Sequence, residues 1–241
     1  MCRMAGIVFR NKFPTEVLSD LKDLGRNGEI PGEGKVGHPH GWGIASFKND
    51  APYYVGRSPV AVFEDPEFDR AVKDVSTISP PNIAIAHVRH ASKGTRSLEN
   101  THPFIVDGLL LGHNGTIDGL QTPRRKPEGT TDSELLALHL AELFKEKGDL
   151  ESAVKALIVD VIRPTKFTAA ILMISDGNML FGYRDYSVNE NYYNLKVSRG
   201  TDRVVLFQES SASYSYGALQ VNKGELVSVG LDLKIGRELV V

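Results

Sequence analysis

The 241-residue chain carries 41% hydrophobic and 24% charged residues, proportions that suit a globular protein with a sizeable core and exclude a disordered or fibrous one. A formal net charge of -2 supplies no general pull toward nucleic acid and implies no acidic partner. One cysteine cannot form an internal disulfide, no stretch approaches the ~18 apolar residues of a membrane span, and polar residues resume at Arg10, so a cytoplasmic protein without a membrane partner is expected.

Met4 to Phe9 reads as a short apolar strand, and after Pro14 the spacing of Val17, Leu18, Leu21 and Leu24 predicts a helix. Gly25 to Gly41, rich in Gly and Pro and holding His38 and His40, reads as a long surface loop. Strands are expected from Gly41, Ala51 and Asn82, with Asp65-Pro66 opening a helix between the last two. The run from Pro103 has two apolar stretches around Asp107-Gly108, a dipeptide favoured in tight hairpins. Thr131 and Glu134 form a capping-box pattern ahead of a helix carrying Leu135, Leu136, Leu138, Leu140 and Leu143, and Asp149 starts a partner helix. Beyond Pro164 the chain is almost all strand: FTAAILMI, NMLFGYR, YYNLKVS, RVVLFQE, ELVSVG and a final apolar strand. Helices in mid-chain between antiparallel strands fit an α+β protein in which two sheets pack together under outer helices. No linker or change of composition divides the chain, so residues 1–241 read as one domain.

Four features could carry chemistry. Cys2 becomes the first residue if the initiator methionine is removed, which puts a thiol and a free α-amine on one residue. Ordinary values of about 8.5 for the thiol and about 7.7 to 8.0 for the amine make the amine a base of matching strength. A cysteine at position 2 is otherwise a small apolar residue like any buried cysteine. In AHVRHASKGTRSLENTHPF, from Ala86, the planar fork of Arg89 matches a carboxylate and Ser92 could add a hydroxyl; equally, Arg89 could end a surface strand and Asn100 to Pro103 could form a plain turn. In LGHNG, the Asn114 amide and the Gly115 N–H could point at one oxygen, as an oxyanion hole requires, although Asn-Gly is also the commonest two-residue hairpin turn. Asp132 could hold a substrate ammonium or simply favour the first turn of its helix.

Together, MCRMAGIVF, HGWGIASF, AHVRHASKGT with NTHPF, LGHNG and TTDSELLALHL resemble, in order and spacing, the class II glutamine amidotransferase domain of the N-terminal nucleophile hydrolases, most like its stand-alone members. The resemblance implies a four-layer αββα sandwich of two antiparallel sheets with outer helices. It implies that Cys2 attacks the side-chain amide of glutamine, releasing ammonia and leaving a γ-glutamyl thioester for water. It places Arg89 on the substrate carboxylate, Asn114 with Gly115 at the oxyanion hole, Asp132 on the substrate α-amine, Ser92 beside the carboxylate, and His102 at a loop position without proton transfer. No cofactor is implied. The fused synthases commonly read Arg-Trp-Ala-Thr-His-Gly where this chain reads Arg89-His90-Ala91-Ser92-Lys93-Gly94, which leaves glutamine and other γ-glutamyl amides as alternative substrates. Ammonia would pass to a separate synthase subunit, or the protein would act as a hydrolase alone; a non-catalytic protein binding glutamine or a partner on the same fold is the third alternative. His38, His40, His87, His90, His102 and His113 match no zinc spacing, so no metal is expected. Arg124-Arg125-Lys126 reads as a solvated turn, and the aromatics of SYSYG, from Ser213, as strand packing.

Overall fold

The computed structural model describes residues 2–32, 35–210 and 212–241. In chain order the elements are β1 (Arg3–Phe9), α1 (Glu16–Asn27), β2 (Glu29–Ile30), β3 (Lys35–Val36), β4 (Trp42–Lys48), β5 (Ala51–Ser58), α2 (Pro66–Asp74) and β6 (Asn82–Val88). There follow β7 (Phe104–Val106), β8 (Leu109–Asp118), α3 (Asp132–Lys147), α4 (Leu150–Ala156), β9 (Lys166–Ser175) and β10 (Met179–Tyr186). The last are β11 (Lys196–Arg199), β12 (Arg203–Phe207), β13 (Leu219–Gln220), β14 (Glu225–Gly230) and β15 (Ile235–Leu239). One sheet runs β13-β11-β12-β1-β6-β4-β5 and the other β15-β14-β10-β9-β8-β7, with β2 and β3 forming a small separate hairpin.

Three apolar layers hold these elements as αββα, the α+β sandwich expected. Strand β1 shows why its sequence is an unbroken apolar run. Met4 and Val8 face the second sheet, against Ile171, Met173 and Leu180. Ala5, Ile7 and Phe9 face the opposite way, against Val17, Leu18 and Leu21 of α1. A strand covered on both sides needs apolar residues on both sides of its pleat. Gly6, between Met4 and Val8, keeps the sheets close: a Cβ there would meet Leu180 and Met173 at 3.0 to 3.2 Å. On the far side, Leu111, Leu172, Ile174 and Phe181 pack under Leu136 and Leu140 of α3 and Val154 of α4.

Local signals that do not depend on distant register hold. Asp65 caps α2 by accepting from Glu67 N, Asp149 caps α4 by accepting from Ser152 N, and Asp107-Gly108 turns β7 into β8 with φ of 48° and 86°. The capping box of α3 is only half formed. Thr131 Oγ1 accepts from Glu134 N at 3.2 Å, but the Glu134 carboxylate accepts from Glu128 N and Gly129 N, pinning the preceding loop instead.

Other expectations are corrected. Gly25 to Gly41 is not a long surface loop: its first residues complete α1, β2 and β3 pair, and His38 is fully buried; Glu33 and Gly34 lie outside the described residues. The strand expected at YYNLKVS starts only at Lys196, because Tyr192 and Tyr193 turn back in a loop over Cys2. SYSYG forms a single 3₁₀ turn, with Tyr214 buried and Tyr216 exposed, rather than strand packing. Asn114-Gly115 is not a hairpin turn: it lies inside β8, which stays paired with β9 through a bulge between Gly115 and Ile117.

Candidate active site

The inter-sheet layer is apolar along most of its length and turns polar at one end. Cys2 lies one step before β1, with the same parity as Met4 and Val8. His87 lies opposite Met4 near the end of β6, and Asn114 carries on the parity of Leu110 and Gly112 in β8. Strand alternation therefore delivers Cys2 and Asn114, 112 residues apart, to one spot. The Cys2 backbone nitrogen donates to Asn114 Oδ1 at 2.7 Å, and Asn114 Nδ2 donates back to Cys2 O at 2.8 Å and to Gln208 Oε1 at 3.1 Å. The thiol reaches His90 O at 3.6 Å.

Cys2, Arg89, Ser92, His102, Gly115 and Asp132 line one cavity of about 20 Å³. With Asn114 bonded to Cys2, all seven residues singled out from the sequence are gathered at one place. Arg89 is buried and continues β6. Its Nη1 donates to Thr95 O at 2.9 Å and its Nη2 to Lys93 O at 2.7 Å, so the guanidinium folds the loop that follows it. Asn100 is no idle turn residue: it donates to Thr95 O and accepts from Thr130 N, tying that loop to the approach of α3. Ser92 Oγ lies 2.8 Å from Thr116 Oγ1, joining the same loop to the bulge of β8.

Asp132 begins α3 and accepts from Ile117 N at 2.6 Å and from Ser133 N at 3.1 Å. One carboxylate thus serves both the bulge and the helix N-terminus, where negative charge is stabilised. Gly115 is required by sterics. Its φ is +150°, and a Cβ there would stand 1.8 Å from Ala169 O.

Three imidazoles back the cavity. His113 Nε2 approaches Ala169 O, so that nitrogen carries the hydrogen and Nδ1 accepts from Ser133 Oγ at 2.9 Å. His87 donates through Nε2 to His113 O. His102 stacks on His87 with ring centroids 4.3 Å apart, and neither of its ring nitrogens has a partner among the described residues. Burial pushes His87 down to about 3 and His102 well below its usual range, so both are neutral at pH 7. Burial, reinforced by the Arg3 charge, pushes His38 down to about 3. Among the described residues no group of three or more His, Cys, Asp or Glu side chains is placed to hold a metal ion, and no helix is long and apolar enough to cross a membrane.

The sequence profile of the class II glutamine amidotransferases matches residues 1–199. The chain belongs to this family. An uncharacterized protein of Methanocaldococcus jannaschii is 32% identical over 222 residues, covering 87% of this chain and 58% of that protein, so this class II amidotransferase chain spans less than two thirds of that relative. Among solved structures, the Bacillus subtilis glutamine phosphoribosylpyrophosphate amidotransferase aligns with 100% of this chain and 49% of its own at a TM-score of 0.66 and 18% identity. A class II glutamine aminotransferase domain protein of Silicibacter pomeroyi covers 98% of both chains at a TM-score of 0.60 and 15% identity. At those identities the structural likeness speaks for the fold.

Sequence reasoning missed a second set of residues around Cys2 in this amidotransferase chain. Gln208 Oε1 accepts from Asn114, Tyr192 OH lies 3.4 Å from Cys2 O and 3.2 Å from His38 Nε2, and Arg3 Nη1 reaches Cys2 O at 3.4 Å. Arg3 and Glu209 meet because β1 and β12 pair Ala5 with Phe207; two more steps along that antiparallel register set Arg3 opposite Glu209. The sequence signal was the polar pair Gln208-Glu209 closing an apolar strand, which has no meaning until the register is known.

Proposed function

We propose that this chain is a glutamine amidohydrolase whose nucleophile is the Cys2 thiol, made N-terminal by removal of Met1. The observation that carries the reading is the 2.7 Å contact of the Cys2 nitrogen with Asn114 Oδ1, beside a cavity shared with Arg89, Gly115 and Asp132. In the first half-reaction the free amine takes the thiol proton and sulfur attacks the glutamine side-chain carbonyl. Asn114 Nδ2, exchanging Cys2 O or Gln208 Oε1 for the new oxygen, and the Gly115 N–H receive the oxyanion, and the tetrahedral intermediate collapses to a γ-glutamyl thioester as ammonia leaves with the proton from the amine. Water, deprotonated by the same amine, then releases glutamate and restores the thiol. Arg89 binds the substrate carboxylate with Ser92 alongside, Asp132 binds the substrate ammonium, and the neutral His102 walls the cavity without carrying a proton.

A cavity of about 20 Å³ has room for about one water molecule and none for an amino acid. Substrate entry therefore requires the 90–101 loop to yield, and a substrate carboxylate must replace Lys93 O or Thr95 O on the Arg89 fork. The ammonia acceptor is a separate synthase or, for a free-standing hydrolase, solvent. Cleavage of γ-glutamyl amides other than glutamine is the second reading. Arg89 and Asp132 recognise only the glutamyl end of a substrate, and the wall His90-Ala91-Ser92-Lys93 differs from that of the fused synthases.

Incubation of the mature chain with glutamine, after intact mass has shown that Met1 is absent, should release ammonia and glutamate in equal amounts. Cys2→Ala should abolish both, and a glutamine-like electrophile should label the wild-type chain once, at Cys2. No ammonia from glutamine but cleavage of another γ-glutamyl amide selects the second reading. A retained Met1 or an unlabelled Cys2 selects a non-catalytic binding protein.

A further inference from the structure

Arg3 is a cation that hydrogen bonding only partly accounts for. It is almost fully buried, yet Nη1 is shared between Cys2 O and Tyr192 O at 3.4 Å each, distances at which hydrogen bonds are weak. Nε has no partner among the described residues. The guanidinium lies over the Tyr192 ring, 3.8 Å from its centroid, and Nη2 donates to Glu209 Oε2 at 2.6 Å. Glu209 is 47% exposed, so water weakens its compensation of the buried charge. Apolar residues of similar size commonly fill such a place without the cost of desolvating an ion. A buried guanidinium with a stranded N–H calls for a reason other than packing.

That reason lies in what it faces. Covalent geometry limits the Cys2 nitrogen to about 3.6 Å from its own carbonyl oxygen, so Nη1 stands at most about 7 Å from that nitrogen. We propose that Arg3 is a positioning residue for the nucleophile: its cation, tempered by Glu209, holds the mature Cys2 amine in its neutral, proton-accepting form and fixes the Cys2 carbonyl against Asn114. The inference rests on the reading of Cys2 as a processed N-terminal nucleophile. A cation beside an amine disfavours a second cation there.

The other groups around Cys2 differ from Arg3 in charge state or in role. Arg89, at the end of β6, has the same sign and interacts electrostatically with Cys2 and with Asp132 of α3, but it is the proposed anchor of the substrate carboxylate; Lys93, on the loop that follows, is paired with Asp118. His38 and His102 are neutral, burial also holds down His113, and Tyr192 and Tyr193 are kept protonated by burial. His90 presents its carbonyl to the thiol. Arg3 and Glu209 are thus the pair outside the proposed substrate anchors whose removal changes the charge at the terminus in opposite directions.

The test uses the mature full-length chain, with Met1 removal verified by intact mass. The rate of Cys2 alkylation by iodoacetamide is measured against pH for wild type, Arg3→Gln, Arg3→Lys and Glu209→Gln; where wild type releases ammonia from glutamine, kcat/KM is profiled alongside. The thiol and amine titrate as a coupled pair, so both profiles report the pair. At an effective dielectric of about 20, a unit charge at about 7 Å displaces a titration by roughly one to two pH units, less what Glu209 cancels. Arg3→Gln should move the midpoint up by about one unit, Glu209→Gln should move it down, and Arg3→Lys should keep it near wild type. An unmoved midpoint in Arg3→Gln, or a shift of the same sign in Arg3→Gln and Glu209→Gln, overturns the proposal. Should Arg3→Gln fail to fold, Glu209→Gln decides, and an unmoved midpoint there refutes it. Alkylation needs no glutamine, so a chain that shows these shifts but hydrolyses no glutamine refutes the glutaminase reading and leaves the role of Arg3 standing.

Discussion

Gly115→Ala tests whether the bulge of β8 is the mould of the site. A Cβ at this position would stand 1.8 Å from Ala169 O, 2.6 Å from Ala169 C and 2.9 Å from His113 Nε2. Neighbouring backbone, not a flexible side-chain tip, would have to give way by about 1.5 Å or more to restore an ordinary contact of about 3.4 Å. Overpacking of this kind costs about 1 to 3 kcal/mol, and a side chain held at positive φ about 1 to 3 more. The expected loss is about 4 kcal/mol, which for a chain of this length lowers Tm by roughly 8 to 16 °C. Gly119→Ala supplies the control, because that glycine also has positive φ (81°) but nothing within 4 Å of its would-be Cβ. It should lose only about 1 kcal/mol. The two melting curves therefore separate steric from conformational cost. The same displacement carries the Gly115 N–H away from its oxygen, and a misplacement of about 1 Å costs about 100-fold in turnover. A Gly115→Ala chain that melts and turns over glutamine like wild type would refute both the required glycine and the place of the bulge in the site.

Arg89→Lys keeps the charge but loses the fork that holds Thr95 O and Lys93 O, so KM for glutamine should rise by at least about 10-fold with a smaller change in kcat; an unchanged KM would remove Arg89 from substrate binding. Asp132→Asn keeps an oxygen for Ile117 N but gives up the acceptor for Ser133 N and the negative charge at the helix N-terminus, so it should cost about 1 to 2 kcal/mol of stability while kcat/KM falls by about 10- to 100-fold; a steady-state profile equal to wild type would count against ammonium binding there. His38 and His87 are held down to about 3 by burial, below the unfolded value of about 6.5, so the unfolded chain binds more protons. Their stabilisation is complete above about pH 6.5 and is lost as pH falls toward 3. At about pH 5 each costs about 2 kcal/mol, and with His40, His102 and His113 lowered in the same direction, urea unfolding at about pH 7 and about pH 5 should show a loss of at least about 4 kcal/mol. No loss over that interval would mean that the two rings are not neutral and sealed.

Read from local pattern alone, the legible parts of the site are those whose neighbours in space are also neighbours in the chain; the pairing of Cys2 with Asn114, 112 residues apart, is reached only through the family resemblance. Arg89 follows an apolar strand and precedes the loop it folds, Asp132 opens its helix, and Asp65, Thr131 and Asp149 cap theirs through residues two or three positions on. The misreadings arose where a local preference met a distant one. Asn-Gly favours a turn, but the ladder from β8 to β9 continues through Asn114 and Gly115, and the pairing with β9 outweighs the dipeptide. Tyr192 and Tyr193 suit a strand by composition, yet they are drawn into a loop packed on Arg3 and Cys2. Gln208 and Glu209 acquire their roles from the register of β1 with β12, which no window of adjacent residues contains.

The pleat that builds the core also places Cys2, at the start of β1, beside Asn114. Residues of even number in that strand face the other sheet, and Met4, Gly6 and Val8 fill the seam with apolar atoms. One further step toward the terminus reaches Cys2, where the facing strand presents Asn114 in place of Leu110 and Gly112. A strand interior could offer a side chain here but no amine, because each backbone nitrogen is already an amide in the ladder. The proposed removal of Met1 would set a thiol and an amine side by side at this end of the seam, next to Asn114. The contact of the Cys2 nitrogen with Asn114 Oδ1 then has two uses. It holds the Cys2 nitrogen against the Asn114 oxygen and turns Asn114 Nδ2 to the other side, where its two hydrogens go to Cys2 O and Gln208 Oε1. Gln208→Ala removes one of those acceptors while leaving Cys2, Arg89 and Asp132, the proposed nucleophile and substrate anchors, in place. Turnover should therefore fall through kcat while KM stays near wild type, and a change confined to KM would place Gln208 in substrate binding instead.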